Sequence, residues 1–506
     1  MTDRSRVATF AHQWAEAVAA RDHQTFLIFE GSDGHVAEWT YAEFDTVVSR
    51  VAAHLVANGV GAGSSVHLAL TNSPTFVAVW LATNRLGAWI VPSDPMGKTP
   101  ELADHIERTR PTVGFCAAAR ADAYRAAAPA DLTIIEIDES DVDLMAFGPV
   151  EYADWPEPAP DDRAAVMFTS GTTGRPKGVE ITQANYAFAG VTMAEAADLT
   201  AEDRHIVVLP LFHANAQYYS FASAIAVGAS VALMHTFSAS GFLPQCARHG
   251  ATAASLFAAP IRMILARGEK TDGVALRHCW YAQNIAEDQY TVLVDWLGCK
   301  PRQLYGMTET IPAVLSDESS SPHPDSMGYV TARCRVDLQD PDGGPVPPDH
   351  VGEIVVGGAP GLELFAGYLD DPVTTRASFR AGWFRTGDRA TRDHTGRFFF
   401  DGRRSDVLKV AGENVSTVEV EAVLSSHPGV LEASVVGAAD EVRDEVPVAF
   451  VVAADPVCPP SADELVAWCR DRLAKAKVPR DITFLDELPR TSVGKIRKFI
   501  LKEVVS

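Results

Sequence analysis

From Tyr41 to about residue 150 the chain alternates between two hydrophobic periodicities, and this constrains its fold more than any other feature. YAEFDTVVSRVAAHLVANGV spaces its apolar residues as a helix does and closes on glycine. SSVHLAL then reads as a strand, PTFVAVWLATNRLGA as a helix, and WIVPSDP as a strand with its exit turn. Helix and strand in turn build βαβ units on a mainly parallel sheet. The alternation resumes at 205–210, 230–235 and 253–257. The charge-free run FASAIAVGASVALMHTF is rich in small residues and just short of a membrane span, so it reads as a buried helix-to-strand unit.

The texture changes near residue 328. GYVTARCRVDLQDPDGGPVPPDHVGEIVVGG carries strand-length runs, DG and GG turns and many prolines, which predicts a hairpin-rich, antiparallel subdomain. Beyond 406 a shorter block alternates again, with TVEVEAVLSSHPGV and SADELVAWCRDRLAKAKVP as helices and LEASVVGAAD and EVPVAFVVAAD as strands. The expected class is α/β. A large N-terminal body of βαβ-type sheets spans 1–402, its β-rich subdomain about 328–402, and a small α+β lid spans 406–506.

Composition removes several functions. A net charge of −23 argues against a nucleic-acid binder, whose affinity rests on clustered Lys and Arg. The seven cysteines are scattered without CxxC spacing, so free thiols in a reducing cytoplasm are expected rather than disulfides or zinc. MTDRSRVATFAHQWAEA lacks the apolar core of a secretory signal.

The strongest local signal is MFTSGTTGRPKG, residues 167–178. A strand-like run enters a loop that offers hydroxyls at Thr169, Ser170, Thr172 and Thr173, unhindered backbone at Gly171 and Gly174, and a cation at Lys177. Backbone N–H groups, hydroxyls and a cation together suit a polyphosphate. The loop is not a Walker A motif, because no Gly-Lys-Ser/Thr follows at the required spacing.

TSGTTGRPKG closely resembles the phosphate loop of the AMP-forming adenylating superfamily, which contains acyl-CoA synthetases, peptide-synthetase adenylation domains and beetle luciferases. The resemblance runs from about Trp39 to Lys502. YGMTETI, GENVS and HPGVLEASVVGAADEVRDEVP bring it nearest to the carnitine/crotonobetaine-CoA ligase group. It implies ATP, Mg²⁺ and CoA as co-substrates or cofactors, and a small-molecule carboxylate as substrate. In YGMTET it implies that Tyr305 stacks on adenine beside Gly306, that Thr308 contacts the α-phosphate and that Glu309 ligates magnesium. In WFRTGD it gives Asp388 the ribose hydroxyls. In GRRSDVLKVAGEN it gives Arg403 ribose or phosphate, places a hinge at 403–405, and lines the thiol channel with Lys409 and Gly412. The hinge position, usually Asp or Lys, is Ser405 here. In LPRTSVGK it makes Lys495 the cation that stabilises charge at the α-phosphate. His213, in LPLFH, would border the carboxylate pocket.

The acyl pocket would draw on 212–220, on 280–285 and on residues after Glu309, with Asn215, Gln217, Tyr218, Tyr281, Gln283 and Asn284 as candidate contacts. No Asp follows Phe-His, which disfavours α-amino acids. The family's small Gly-Gly-Ala stretch is replaced near Tyr281-Ala-Gln-Asn284, which disfavours long straight chains. Tyr218, Tyr219, Trp280 and Tyr281 are expected either as an aromatic wall, able to hold an aryl ring or a quaternary ammonium, or as core.

The resulting expectation is a cytoplasmic, AMP-forming acyl-CoA ligase for a small or medium polar or aryl acid. It would act as a monomer or homodimer, with no membrane span and no nucleic-acid partner. The alternative keeps adenylation and passes the acyl group to a carrier protein or a nitrogen nucleophile, including diazotase-like use of nitrite.

Overall fold

The computed structural model describes residues 8–138, 157–169, 176–318, 321–403, 407–410, 413–440, 443–490 and 496–505. The chain forms two compact units. One comprises 1–336 and 356–384, the other 337–355 and 385–506.

The first unit carries the alternation seen in the sequence. One sheet has seven strands, in the order Gly367–Tyr368, Lys177–Thr182, Arg163–Thr169, Trp89–Pro92, Ser65–Ala69, Val113–Ala117 and Thr133–Ile137. Its strands from Arg163–Thr169 to Thr133–Ile137 pair in parallel. The helix Pro74–Arg85 shows why the chain folds this way locally. The Ser73 hydroxyl accepts from the Phe76 N–H at 3.2 Å, proline opens the first turn, and nearly every side chain is buried. A helix apolar all round must be covered on all sides. Phe10 and Tyr186 cover its Trp80, with stacked and tilted rings 5.2–5.4 Å from it.

A nine-stranded sheet in the same unit runs Tyr329–Val330, Leu315–Ser316, Arg302–Tyr305, His278–Ala282, Ala253–Phe257, Arg204–Val207, Ser230–Met234, Thr25–Glu30 and Val36–Thr40. It is parallel in the middle and antiparallel at both ends. The apolar run 221–237 is a buried helix-to-strand unit, as expected. Its helix, however, is preceded by a π-helix, Asn215–Ala222, that periodicity does not reveal.

The hairpin-rich segment is present, but its strands are divided between the units. The strand Trp383–Arg392 pairs through Trp383 and Phe384 with Phe379–Arg380, and from Asp388 onward with Phe398–Arg403. In the second unit Arg385 binds Glu353 at 2.7 Å and Thr386 donates to the Ile354 carbonyl at 2.8 Å, so 337–355 and 385–402 group with the C-terminal residues. The remaining C-terminal sheet orders Glu413–Ser416, Val407–Val410, Asp444–Ala453 and Val430–Asp440, with Asp481–Phe484 pairing Asp444–Ala453. Alternation splits its apolar residues onto two faces. Val435, Ala449 and Val451 pack with Leu424, Leu465 and Cys469, while Val436, Val448 and Phe450 pack with Leu488 and Leu501.

All seven cysteines are free thiols. No helix among the described residues is long and apolar enough to cross a membrane.

Candidate functional site

The Thr/Gly-rich segment connects two paired strands. Arg163–Thr169 and Lys177–Thr182 run antiparallel, with Thr169 opposite Lys177 and Phe168 opposite Gly178. Ser170, Gly171, Thr172, Thr173 and Gly174 lie outside the described residues. Gly178 is required by packing, since a Cβ there would meet Val166 at 3.0 Å and Leu369 at 3.1 Å.

The helix Thr99–Thr109 grips both stems of this hairpin. Its His105 ring stacks on Phe168 at 3.9 Å and 7°. Its Arg108 guanidinium lies 4.7 Å over the same ring, donates to the Pro176 carbonyl at 2.7 Å and pairs with Asp104 at 3.1 Å. Behind His105 runs a buried chain. Ser93 Oγ bonds His105 Nδ1 at 2.8 Å and His67 Nε2 at 3.0 Å, and His67 Nδ1 bonds Tyr124 Oη at 2.7 Å. Burial holds His67 down to about 3 and His105 to about 4, so both rings are neutral.

The YGMTET motif leaves the end of the strand Arg302–Tyr305 and enters a 3₁₀ turn at Thr308–Thr310. Gly306 has no room for a side chain, because a Cβ would lie 2.9 Å from both the Pro312 carbonyl and the Tyr219 hydroxyl. Thr310 Oγ1 accepts from the Met307 N–H at 3.0 Å and closes the turn. Ile311 then takes φ +68° and ψ −78°. For a β-branched residue this is a strained conformation, held only by its surroundings. Tyr305 and Thr308 are half-buried, while Glu309 is only 4% exposed.

The partner that organises Glu309 was not anticipated from sequence. Tyr368 Oη donates to Glu309 Oε1 at 3.0 Å, and the Phe365 N–H donates to the Glu309 carbonyl at 2.9 Å. The Lys177 ammonium sits 4.6 Å over the ring of Tyr368. Burial, and then the Glu309 carboxylate, push the Tyr368 hydroxyl far above the usual phenol range, so it is a donor at every working pH. Among the described residues no three acidic, His or Cys side chains cluster as a metal cage. One hard carboxylate beside a phosphate loop nevertheless fits magnesium, which keeps waters and takes its other oxygens from phosphates.

The pocket candidates divide. The π-helix Asn215–Ala222 follows His213, whose Nδ1 accepts from the Asn215 N–H at 3.3 Å and whose ring meets Phe257 edge-on at 5.8 Å. Such helices are frequent at functional sites. Asn215 is 2% exposed, and neither its amide oxygen nor its nitrogen has a partner among the described residues. The Tyr218 hydroxyl is also buried and has no partner among the described residues. Gln217 differs, because its amide donates to the Leu211 carbonyl at 2.6 Å and accepts from the Tyr186 hydroxyl. Both ends are spent inside the fold. Tyr281 donates to the Pro324 carbonyl at 2.9 Å from within the core. Trp280 faces the other way on the same strand, under Arg302 at 4.6 Å and against His278 at 4.3 Å. Of the two expectations for the aromatics, Trp280 and Tyr281 therefore follow the core reading, since adjacent strand residues point to opposite faces. Gln283 and Asn284 are exposed, with Asn284 Oδ1 accepting from Gln303 at 2.8 Å. Gln283 stands at φ +72°, a conformation in which glycine is at ease and glutamine is not.

In the second unit Asp388 and Arg403 lie opposite each other on adjacent strands. Arg403 Nε is 2.8 Å from Asp388 Oδ1, and the Asp388 N–H donates to Thr386 Oγ1 at 3.1 Å. Lys409 is on the strand Val407–Val410, opposite Asn414. Ser405, Gly412 and Lys495 lie outside the described residues.

A cavity of about 390 Å³ around Arg302, Asp317 and Thr331 lies by the start of the Arg302–Tyr305 strand, away from the motif at its end.

Comparison with known proteins places these features in a family. The model for the AMP-binding enzyme matches residues 11–369, and that for the AMP-binding enzyme C-terminal domain matches 419–495. A crotonobetaine/carnitine–CoA ligase of Escherichia fergusonii is 31% identical, with 97% of this chain and 98% of that protein covered. ATP-bound MatB from Rhodopseudomonas palustris superposes with a TM-score of 0.89 at 27% identity, covering 98% of each chain. The o-succinylbenzoate CoA synthetase of Bacillus subtilis, with its acyl-adenylate intermediate, superposes at 0.84 and 30% identity, covering 97% of each.

Proposed function

The chain belongs to the AMP-binding enzyme family, and on that premise we propose that it makes the CoA thioester of a small or medium polar or aryl carboxylic acid at the expense of ATP. A carboxylate is a poor acyl donor because its leaving group is an oxide. In the first half-reaction a carboxylate oxygen attacks the α-phosphorus of ATP, a P–O bond forms, and pyrophosphate leaves. In the second the CoA thiol gives up its proton, sulfur bonds to the acyl carbon, and the bond to AMP breaks.

Each residue is assigned by its place in the motifs. Thr169, Ser170, Gly171, Thr172, Thr173, Gly174 and Lys177 cradle the phosphates. Tyr305 and Gly306 receive adenine, Thr308 the α-phosphate, and Asp388 with Arg403 the ribose. His213 borders the reacting carboxylate. Glu309 holds magnesium, which when bound neutralises phosphate charge. Lys495 stabilises charge on the pentavalent phosphorus, while Lys409 and Gly412 serve the thioester step. The functional division lies at 403–405, with Ser405 as the hinge between a body, 1–402, and a lid, 406–506. Ordered positioning of this kind accounts for most catalysis at phosphoryl centres.

The observation that carries the reading is that Lys177 and Glu309 flank one side chain, Tyr368, at the foot of the Thr/Gly loop. The unpartnered Asn215 amide and Tyr218 hydroxyl support an acid that carries a polar group, since buried polar atoms without partners are costly. The named CoA ligases among the relatives support CoA as acceptor over a carrier protein or nitrite. A reducing cytoplasm suits the seven free thiols, and a monomer or homodimer is the proposed state.

The test is pyrophosphate release with a panel of betaines, aryl, aminoaryl, short and long acids, with and without CoA, followed by mass spectrometry. An acyl-CoA product is expected from a polar or aryl acid. Pyrophosphate without an acyl-CoA would reject CoA as acceptor, and no pyrophosphate with any acid would reject the activity.

A further inference from the structure

Lys177 and Glu309 lie on either side of one phenol, and opposite charges so placed would ordinarily collapse onto each other. They do not. Among the described residues no carboxylate is within ion-pair distance of the Lys177 ammonium, which rests on the face of the Tyr368 ring at 4.6 Å. The hydroxyl of the same ring donates to Glu309 Oε1 at 3.0 Å. We propose that Tyr368 is a positioning residue that keeps Lys177 and Glu309 apart and each aimed at its own part of a magnesium–triphosphate.

The geometry fixes the ring. Tyr368 pairs with Val179 on the strand that begins at Lys177, so its backbone is tied to the exit of the phosphate loop. The Leu369 N–H donates to the Gly178 carbonyl at 2.8 Å and the Ala366 N–H to the Glu180 carbonyl at 2.9 Å. Phe365 packs on the Tyr368 ring at 4.8 Å and its N–H binds the Glu309 carbonyl at 2.9 Å. The segment 365–368 therefore holds Glu309 by main chain and side chain at once. A buried Lys–Glu pair would consume the carboxylate that a hard cation needs and the ammonium that the phosphates need. A phenol holds both residues without forming an ion pair with either. Its face attracts the cation, and its hydroxyl orients the carboxylate and leaves the charge in place, as partners of metal-binding carboxylates do.

This inference rests on the assignment of Glu309 to magnesium and of Lys177 to phosphate. Its test is calorimetric titration of ATP into the full chain, with magnesium and separately with EDTA, for wild type, Tyr368→Phe, Glu309→Gln, the double variant and Tyr368→Leu. Thermal melts check each variant's fold. Tyr368→Phe should weaken MgATP about tenfold and leave metal-free ATP unchanged. In the Glu309→Gln background the same change should cost nothing further, which a general loss of packing would not mimic. Tyr368→Leu, which removes the ring, should also weaken metal-free ATP by about threefold. Equal loss with and without magnesium in Tyr368→Phe, or full additivity in the double variant, would overturn the proposal while leaving the ligase reading intact. Unchanged metal-free binding in Tyr368→Leu would overturn the role toward Lys177. Failure of the wild type to bind ATP at all would instead overturn the nucleotide assignment and this inference with it.

Discussion

Arg403 and Asp388 face each other across adjacent strands, with Nε 2.8 Å from Oδ1, and each belongs to a different sequence motif. WFRTGD and GRRSDVLK are therefore physically one feature. The arginine orients the aspartate, whose side chain is buried. The pair is a fixed, charge-assisted acceptor.

Asp388→Ala should weaken ATP about ten- to a hundredfold, the range for losing hydrogen bonds to a charged group. Calorimetry of ATP binding decides this. An unchanged dissociation constant would remove the residue from the ribose site.

Lys495→Ala should lower acyl-AMP formation by about two to three orders of magnitude and spare thiolysis of preformed acyl-AMP. The two half-reactions can be followed separately by pyrophosphate release and by acyl-CoA appearance. Equal loss in both would sink the division of labour between Lys495 and Lys409.

Asn215→Leu should raise the melting temperature and lower turnover of the preferred acid. It removes two buried, unpartnered polar atoms at nearly constant volume, a change worth about 1–3 kcal/mol. Stability gained with activity lost is the pattern of a residue kept for binding. A rise in stability with no change in the ranking of acids would make Asn215 a packing residue.

Stability should fall as pH drops from the ordinary histidine range toward about 4. His67, His105 and His205 are held neutral by burial, at about 3, about 4 and about 4, and His278 is lowered further by burial and Arg302. The unfolded chain takes up these protons near 6.5 and the folded chain does not. Their contribution is therefore complete above that value and is lost as pH falls through the folded values. Urea midpoints at pH 7 and pH 5 measure it. His105→Gln should flatten the difference, and a midpoint independent of pH would contradict the assignment.

The fold was legible because its signals are local. Helix Pro74–Arg85 announces itself by a serine cap, a proline and an apolar run, and the strands by short apolar stretches between turns. The family was legible because its short motifs stand in order along the chain. Three things were not. The π-helix at Asn215–Ala222 depends on an extra residue per turn that composition does not mark. Gln217 turns inward because Tyr186 and Leu211, distant in sequence or across a turn, offer it partners. Tyr368 acts through residues 59 apart in the chain, and a Gly-Tyr pair on a two-residue strand carries no periodicity. One choice left open between an aromatic wall and core could have been narrowed from sequence. Trp280 and Tyr281 are neighbours on a strand, so period two already forbids them one wall.

His105 and Arg108 hold Phe168 and Pro176, one on each side of the Thr/Gly-rich segment, from a helix that belongs to none of the recognised motifs. The loop is thus not a free-standing cassette. Grafted without that helix it would leave Phe168 without its stacked ring and the Pro176 carbonyl without its donor. In this chain the hairpin and the helix Thr99–Thr109 are mechanically one piece.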